Sequence, residues 1–342
     1  MGKPLRLSRV ERRAPQAMPL RPDADGQWVR RWTGDDWFDE ADGWVRAQLA
    51  ASGTAVSGAP VPYKIRFWAA VWCYPTDHGL FWFKENNPGQ AFEAALVGAM
   101  AQALPQHVVA PLAIDPERGW LLTADQGPTL GDQEDTDWHR LVIEYADLQR
   151  DTVPFRDALL ASGLTSLAPS RLSGAVHRVA DWFTGLADDH PLRPGPETLT
   201  GVRRAADAVS EVEKLLPGVV PMALDQNDLH ARNVFRPDPA GPFRFFDFGD
   251  AVWGHPFATL ASVREDVDDA VVTAYLEKWS DLAPLDVLRR ELAIAEPLHV
   301  IHRVVSWHRL LEHADEIEGA AWVEHIDHWL RELVQTYGSA AA

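Results

Sequence analysis

Gln226-Asn227-Asp228-Leu229-His230-Ala231-Arg232-Asn233-Val234-Phe235 is followed, after one short connection, by Phe245-Phe246-Asp247-Phe248-Gly249-Asp250. Short apolar runs flank the turn cluster Pro237-Asp238-Pro239-Ala240-Gly241-Pro242, which predicts two strands joined by a tight turn. Two acids and an amide therefore meet across one hairpin. This combination suits phosphoryl transfer, where a protein does little covalent work but must orient a hydroxyl and offset phosphate charge. Asp228 is the candidate to accept or orient the hydroxyl proton. Asn233 would offer its amide oxygen to Mg2+ and Asp247 the main metal carboxylate, since hard oxygen ligands suit that ion.

Outward from this hairpin, the chain changes character near Gly127-Pro128. Before it, Asp35 to Ala51 places Trp37, Phe38, Trp44, Val45 and Leu49 at helical spacing, with Gly53 where a helix would stop. Tyr63 to Tyr74 and Gly79 to Lys84 are aromatic and β-branched runs that predict an antiparallel hairpin, turned at Pro75-Thr76-Asp77-His78. An Ala-rich helix follows from Gln90 to Leu104, then short strands at Val108 to Ile114 and Trp120 to Thr123. Beyond residue 127 the pattern is mainly helical, with helices expected at 138–149, 171–188, 199–216, 263–281, 285–313 and 321–337. The predicted class is α+β, with a β-rich first lobe over residues 35–126 and a mainly helical second lobe over 127–342. Residues 1–34 form an N-terminal extension, of which 1–30 show no sustained periodicity and are expected to be flexible.

The run D-L-H-A-R-N followed by F-D-F-G-D resembles the catalytic loop and metal motif of the aminoglycoside phosphotransferase family, relatives of the protein kinases. The resemblance covers roughly residues 35 to 270. It implies a bilobal protein-kinase-like fold that binds ATP and Mg2+. Lys84, one of only five lysines in the chain, ends an apolar strand as the family's phosphate-binding lysine does, and Glu93 takes the place of its paired glutamate. Thr123, Ala124 and Asp125 correspond to the hinge whose backbone bonds adenine. His230 and Asp250 are candidates to face the acceptor.

Three departures accompany the likeness. Gln226-Asn227 stands where the family usually has His-Gly, although a Gln amide can supply the same bracing hydrogen bonds. No G-x-G-x-x-G lies near Arg66 to Trp72, where a protein kinase covers the phosphates. Thr259 replaces a common Asp and is expected to alter bracing of the second lobe.

Composition narrows the class. The 342 residues are 46% apolar, enough for two connected lobes. No apolar run approaches the roughly 18 residues of a spanning helix, and no secretory leader is visible. Cys73 is the single cysteine, so a soluble, cytoplasmic protein without disulfides is expected. Residues 1 to 130 carry 13 basic and 14 acidic side chains, whereas residues 131 to 342 carry 19 and 36. That negative surface disfavours nucleic acid and draws in cations. The expected acceptor is accordingly a small, cationic, polyhydroxylated molecule such as an amino sugar or aminoglycoside. Choline, homoserine and natural-product hydroxyls are alternatives, as is a catalytically silent nucleotide-binding pseudokinase. Protein kinase activity is disfavoured because no A-P-E-like peptide-docking segment follows Asp247. His299-x-x-His302 and His325-x-x-His328 share helix faces, but they fit an aromatic wall with Trp307, Trp322 and Trp329 better than a zinc site.

Overall fold

A computed structural model of the chain describes residues 15–19, 23–133, 136–216, 218–238 and 241–338. Helices α1 (Gln27–Trp32) and α2 (Asp35–Ala51) precede three strands, β1 (Val61–Arg66), β2 (Ala69–Thr76) and β3 (Gly79–Asn86). Helix α3 (Glu93–Ala103), β4 (Pro111–Asp115) and β5 (Trp120–Ala124) complete the first lobe. Its sheet is antiparallel throughout, in the order β1-β2-β3-β5-β4. Two acids open α2, where they favour the helix N-terminus, and Trp37, Ala41, Val45 and Leu49 recur every four residues on its buried face.

Strand alternation separates the faces of this sheet. Phe81 and Phe83 of β3 and Trp120 and Leu122 of β5 join the core beneath α2. Leu80, Trp82 and Lys84, one residue out of phase, line the cleft on the other face. Glu85 points under α2, where its Oε2 accepts the indole N–H groups of Trp37 at 2.7 Å and Trp120 at 2.5 Å.

The second lobe begins with α4 (Trp138–Thr152), α5 (Arg156–Ala161), β6 (Thr165–Ser166), α6 (Leu172–Gly185) and α7 (Pro196–Leu215). The segment around Asp228 and Asp247 follows as β7 (Ala223–Asp225), β8 (Val234–Phe235), β9 (Arg244–Phe245) and β10 (Val252–Gly254). Helices α8 (Asp269–Glu277), α9 (Leu285–Ala295), α10 (His299–Leu311) and α11 (Glu316–Tyr337) close the chain. Helix α6 packs on α7, α7 on α11, and α11 on α10.

Four expectations change. The run from Tyr63 to Tyr74 is two strands, folded back at Phe67-Trp68, where no Gly, Pro, Asn or Asp marks a turn. The helix expected at 263–281 begins at Asp269, capped by Asp268, and the preceding Pro256–Val263 is a 3-10 segment. The helix expected at 285–313 is broken by Pro297, which has no N–H to continue the ladder. Helix α11 starts at Glu316, ahead of the expected residue 321, because Asp315 and Glu318 form a capping box.

The N-terminal extension is likewise ordered where described. Trp32 and Val29 are buried in the first-lobe core. The Asp23 carboxylate accepts the Phe67 N–H at 3.0 Å. Gln27 N–H reaches Asp315 Oδ2 at 2.8 Å and Trp28 N–H reaches Glu318 Oε1 at 2.6 Å, so this segment straps the first lobe to the start of α11. Gly26 permits that approach, since a Cβ there would lie 2.1 Å from Glu318 Cγ. The rest of the expected extension, residues 1–14 and 20–22, lies outside the described residues.

Trp32→Ala is expected to cost about 3–5 kcal/mol, the usual range for deleting a large buried side chain. Urea unfolding of the full chain measures it. A loss near zero would mean that the extension is not part of the folded core.

Candidate active site

Lys84 leaves β3 toward the cleft, and its ammonium lies 2.7 Å from Glu93 Oε2 and 2.6 Å from Asp247 Oδ1. The three residues come from a strand, the first turn of α3 and the loop after β9. Burial pulls the Lys84 pKa down, but the two carboxylates outweigh it and hold the group above its ordinary value. Burial likewise pushes Asp247 up, while Lys84 and Lys64 bring it down to about 2. Glu93 is almost wholly buried and fully used: Oε2 also accepts Asn86 Nδ2 at 2.6 Å, and Oε1 accepts the Phe248 N–H at 2.9 Å.

Asp228 sits across the cleft in the loop after β7. Asn233, at the end of a 3-10 turn, donates its amide N–H to Asp228 O at 3.1 Å and Oδ2 at 3.3 Å. The amide oxygen of Asn233 is therefore the end left for a cation. His230 Nδ1 accepts the Arg232 N–H at 3.1 Å, which leaves Nε2 as the protonated nitrogen, 3.4 Å from Asp228 Oδ2. Arg303 Nη1 from α10 lies 3.4 Å from Asp228 Oδ1 and 3.3 Å from Asp250 Oδ2, and donates to Asn227 O at 2.7 Å. Burial raises the Asp228 pKa, but the His230 hydrogen bond and the Arg303 charge lower it further, so the carboxyl stays ionised.

The loop carrying Asp228 is braced by the two residues that depart from the family pattern. Asn227 has φ of 62°, a left-handed conformation that costs most side chains energy but that Asn tolerates better than other non-glycine residues. The Gln226 amide donates to the carbonyls of Phe246 and Asp247, tying the loop that carries Asp228 to the one that carries Asp247. Asp247 itself has φ of 60°, which turns its carboxylate back toward Lys84. Beneath the loop, Asp225 accepts the Asn227 N–H at 3.0 Å and pairs with His302 Nδ1 at 2.9 Å, both side chains being fully buried.

Lys84, Glu93, Thr123, Ala124, Asp125, Asp228, His230, Asn233, Asp247 and Asp250 all line one cleft of about 1190 Å³. At the hinge, the Asp125 N–H pairs with Leu80 O and the Asp125 carboxylate accepts the Trp82 indole N–H at 3.0 Å. Asp250 faces the cleft, but its carboxylate is already bonded by Gln90 at 2.9 Å, by Ser306 and by Arg303. The donor set fits Mg2+ in kind: Asp247 supplies a carboxylate and Asn233 an amide oxygen, with Asp228 beside them. Lysines 64 and 84 fit the phosphates of a nucleotide, and Leu80, Val71 and Phe246 give its base an apolar seat.

Sequence reasoning missed several residues. Arg303 lies 75 positions from Asp228 in a helix without any motif, so no local signal marked it. Gln90 and Ser306 were equally silent. Lys64 had a signal, being one of the few lysines and set in an apolar strand. The histidine pairs part company: His302 bonds Asp225, while His299 and His328 each lie against Trp329.

This bilobal arrangement is the protein-kinase-like fold of small-molecule phosphotransferases. An ethanolamine kinase from Plasmodium vivax matches with a TM-score of 0.62 and 10% identity, over 90% of this chain and 90% of that one. The choline kinase LicA from Streptococcus pneumoniae matches at 0.56 and 12% identity, over 86% and 96%. A GDP and kanamycin complex of the aminoglycoside phosphotransferase APH(2")-IIIa matches at 0.54 and 11% identity, over 88% and 99%. At these identities the likeness is one of fold. No protein-family model matches the chain, and no curated protein matches it in sequence.

Two outcomes follow. Asn227→Ala should destabilise the chain by about 1–2 kcal/mol more than Asn227→Gly does, because only glycine accepts the left-handed backbone freely; paired thermal melts test this, and equal losses would exclude backbone strain. Asp247, held at about 2, contributes stability that is complete above the ordinary carboxyl value near 4 and is lost as pH falls toward 2. Lys84→Met removes the main countercharge, so the folded pKa of Asp247 returns toward or past its unfolded value and the acid limb of a pH–Tm curve should flatten; an unchanged slope would show that Lys84 does not hold Asp247 down.

Proposed function

We propose that the chain is an ATP-dependent O-phosphotransferase that moves the γ-phosphate to a hydroxyl of a small molecule. The observation that carries this reading is the Lys84 ammonium held between Glu93 and Asp247, directly across from the bonded pair Asp228 and Asn233. Each of these groups has a task in phosphoryl transfer, and a silent nucleotide-binding protein has no chemical need for all five together.

In this reading Lys84 contacts the α and β phosphates, and the hinge from Thr123 to Asp125 seats the base. Mg2+, held by Asp247 and Asn233, would offset the charge that builds on the β and γ phosphates. Asp228 accepts a hydrogen bond from the acceptor hydroxyl and aims its oxygen at the phosphorus. Because its pKa is lowered, Asp228 orients the hydroxyl first and receives the proton late, as the new bond forms. The protonated Nε2 of His230 steadies the same carboxylate.

The acidic second lobe supports a cationic acceptor through its long-range field, which keeps amino sugars and aminoglycosides among the substrates to try. Close to the reacting hydroxyl the balance differs, because Arg303 pairs with both Asp228 and Asp250.

The test is ADP release with Mg-ATP against amino sugars, aminoglycosides, choline, homoserine and ring-bearing alcohols, with Asp228→Asn beside the parent chain. Acceptor-dependent turnover that falls by ~10² or more in the variant is expected, the scale for losing a general base. Absence of both Mg-ATP binding and turnover would sink the proposal.

A further inference from the structure

The turn between β1 and β2 lacks the glycines that would let its backbone lie over phosphates. It carries Phe67 and Trp68 instead, and it is held elsewhere. Trp68 stands edge-on to Trp322 of α11 at 4.6 Å between ring centres and to Trp307 of α10 at 6.4 Å. His325, one helical turn along from Trp322, lies 5.2 Å from Trp307 and 5.1 Å from Trp322. All four rings line the same cleft as Asp228. The Asp23 carboxylate on the Phe67 N–H and the strap onto Asp315 and Glu318 keep the turn in this position.

Beside this wall the charges are internally balanced. Arg303 lies against Asp228 and Asp250, Gln90 and Ser306 complete the bonding of Asp250, and Arg232 opens onto the cleft as well. A cationic group would have to compete with Arg303 for the two carboxylates it pairs, Asp228 and Asp250. An uncharged ring pays no such penalty and gains edge and face contacts with the indoles.

Resting on the phosphotransferase reading, we infer that the acceptor subsite takes an uncharged hydroxyl compound that presents an aromatic or apolar ring face to Trp68, Trp307, Trp322 and His325. The ring packs on this wall while the hydroxyl reaches Asp228, and the wall is preformed because both lobes contribute to it. Discrimination then comes from the ring, with Arg303 acting against multiply charged amines.

The experiment titrates the full chain with Mg-ATP present, following tryptophan fluorescence, against three probes: phenyl β-D-glucoside, methyl β-D-glucoside and kanamycin. Phenyl β-D-glucoside is expected to bind about fivefold more tightly than the methyl glucoside, from one additional aromatic contact. Kanamycin should bind more weakly than both. Trp322→Leu should erase the phenyl preference, and the exposed His325→Ala, which leaves the core intact, should reduce it. Equal affinity for the two glucosides, tighter binding of kanamycin, no saturable binding by either glucoside, or an unchanged preference in both variants would each overturn the inference. Mg-ATP binding is measured separately by calorimetry, with Lys84→Met as control. Its failure would remove the phosphotransferase reading while leaving the ring preference to stand or fall on its own titration.

Discussion

A single ammonium group, that of Lys84, is shared by carboxylates from two different parts of the chain, and the cleft is organised around it. Glu93 sits at the start of α3 in the first lobe, and Asp247 follows β9 in the second. Removing Lys84 leaves both carboxylates, the almost wholly buried Glu93 above all, without their countercharge, a loss of about 3–5 kcal/mol for buried pairs. Such a pair is a poor device for stability alone, because apolar residues of the same size would serve as well. Its worth lies in setting where the Lys84 ammonium and the Asp247 carboxylate stand relative to each other. Glu93 extends the constraint by accepting the Phe248 N–H, so the position of α3 and the shape of the loop bearing Asp247 are coupled.

A second contact between the lobes lies at the front of the cleft. Protein kinases cover the phosphates with a glycine-rich loop; here the equivalent turn is aromatic and packs against α10 and α11. The strap from Asp23 to Trp28 adds hydrogen bonds across the same junction. The lobes are thus joined behind the cleft at the hinge and in front by rings. The consequence is a cleft whose aromatic side is built before any ligand arrives, with the entropy of ordering it already spent in folding.

The departures around Asp228 illustrate how one loop geometry is reached with different residues. The backbone at position 227 must be left-handed, which glycine does freely and asparagine with little penalty. The Asn227 side chain then adds a bond to Asp250 O at 3.2 Å, and Gln226 bonds the carbonyls of Phe246 and Asp247. Buried support comes from Asp225 and His302, a pair 77 positions apart. The requirement is for a conformation and for satisfied donors, and several residue types meet it.

Local pattern alone was enough to reveal the hairpin with Asp228, Asn233 and Asp247, the strand that carries Lys84, the helix that carries Glu93 and the α+β division of the chain. Those features depend on short-range chemistry: strand alternation, turn residues, helix caps and fixed spacings between polar residues. Tertiary structure alone decided that Tyr63 to Tyr74 folds back at Phe67-Trp68, since the turn is held by rings of another lobe and not by its own residues. It also decided that the segment before α2 is ordered, because Trp32 is buried by α2 and the sheet rather than by its own periodicity. Arg303 reaches Asp228, and Trp68 reaches Trp322, only once α10 and α11 have packed beneath the first lobe. Contacts of that kind leave no mark on neighbouring residues, because the energy that selects them comes from burial between distant segments.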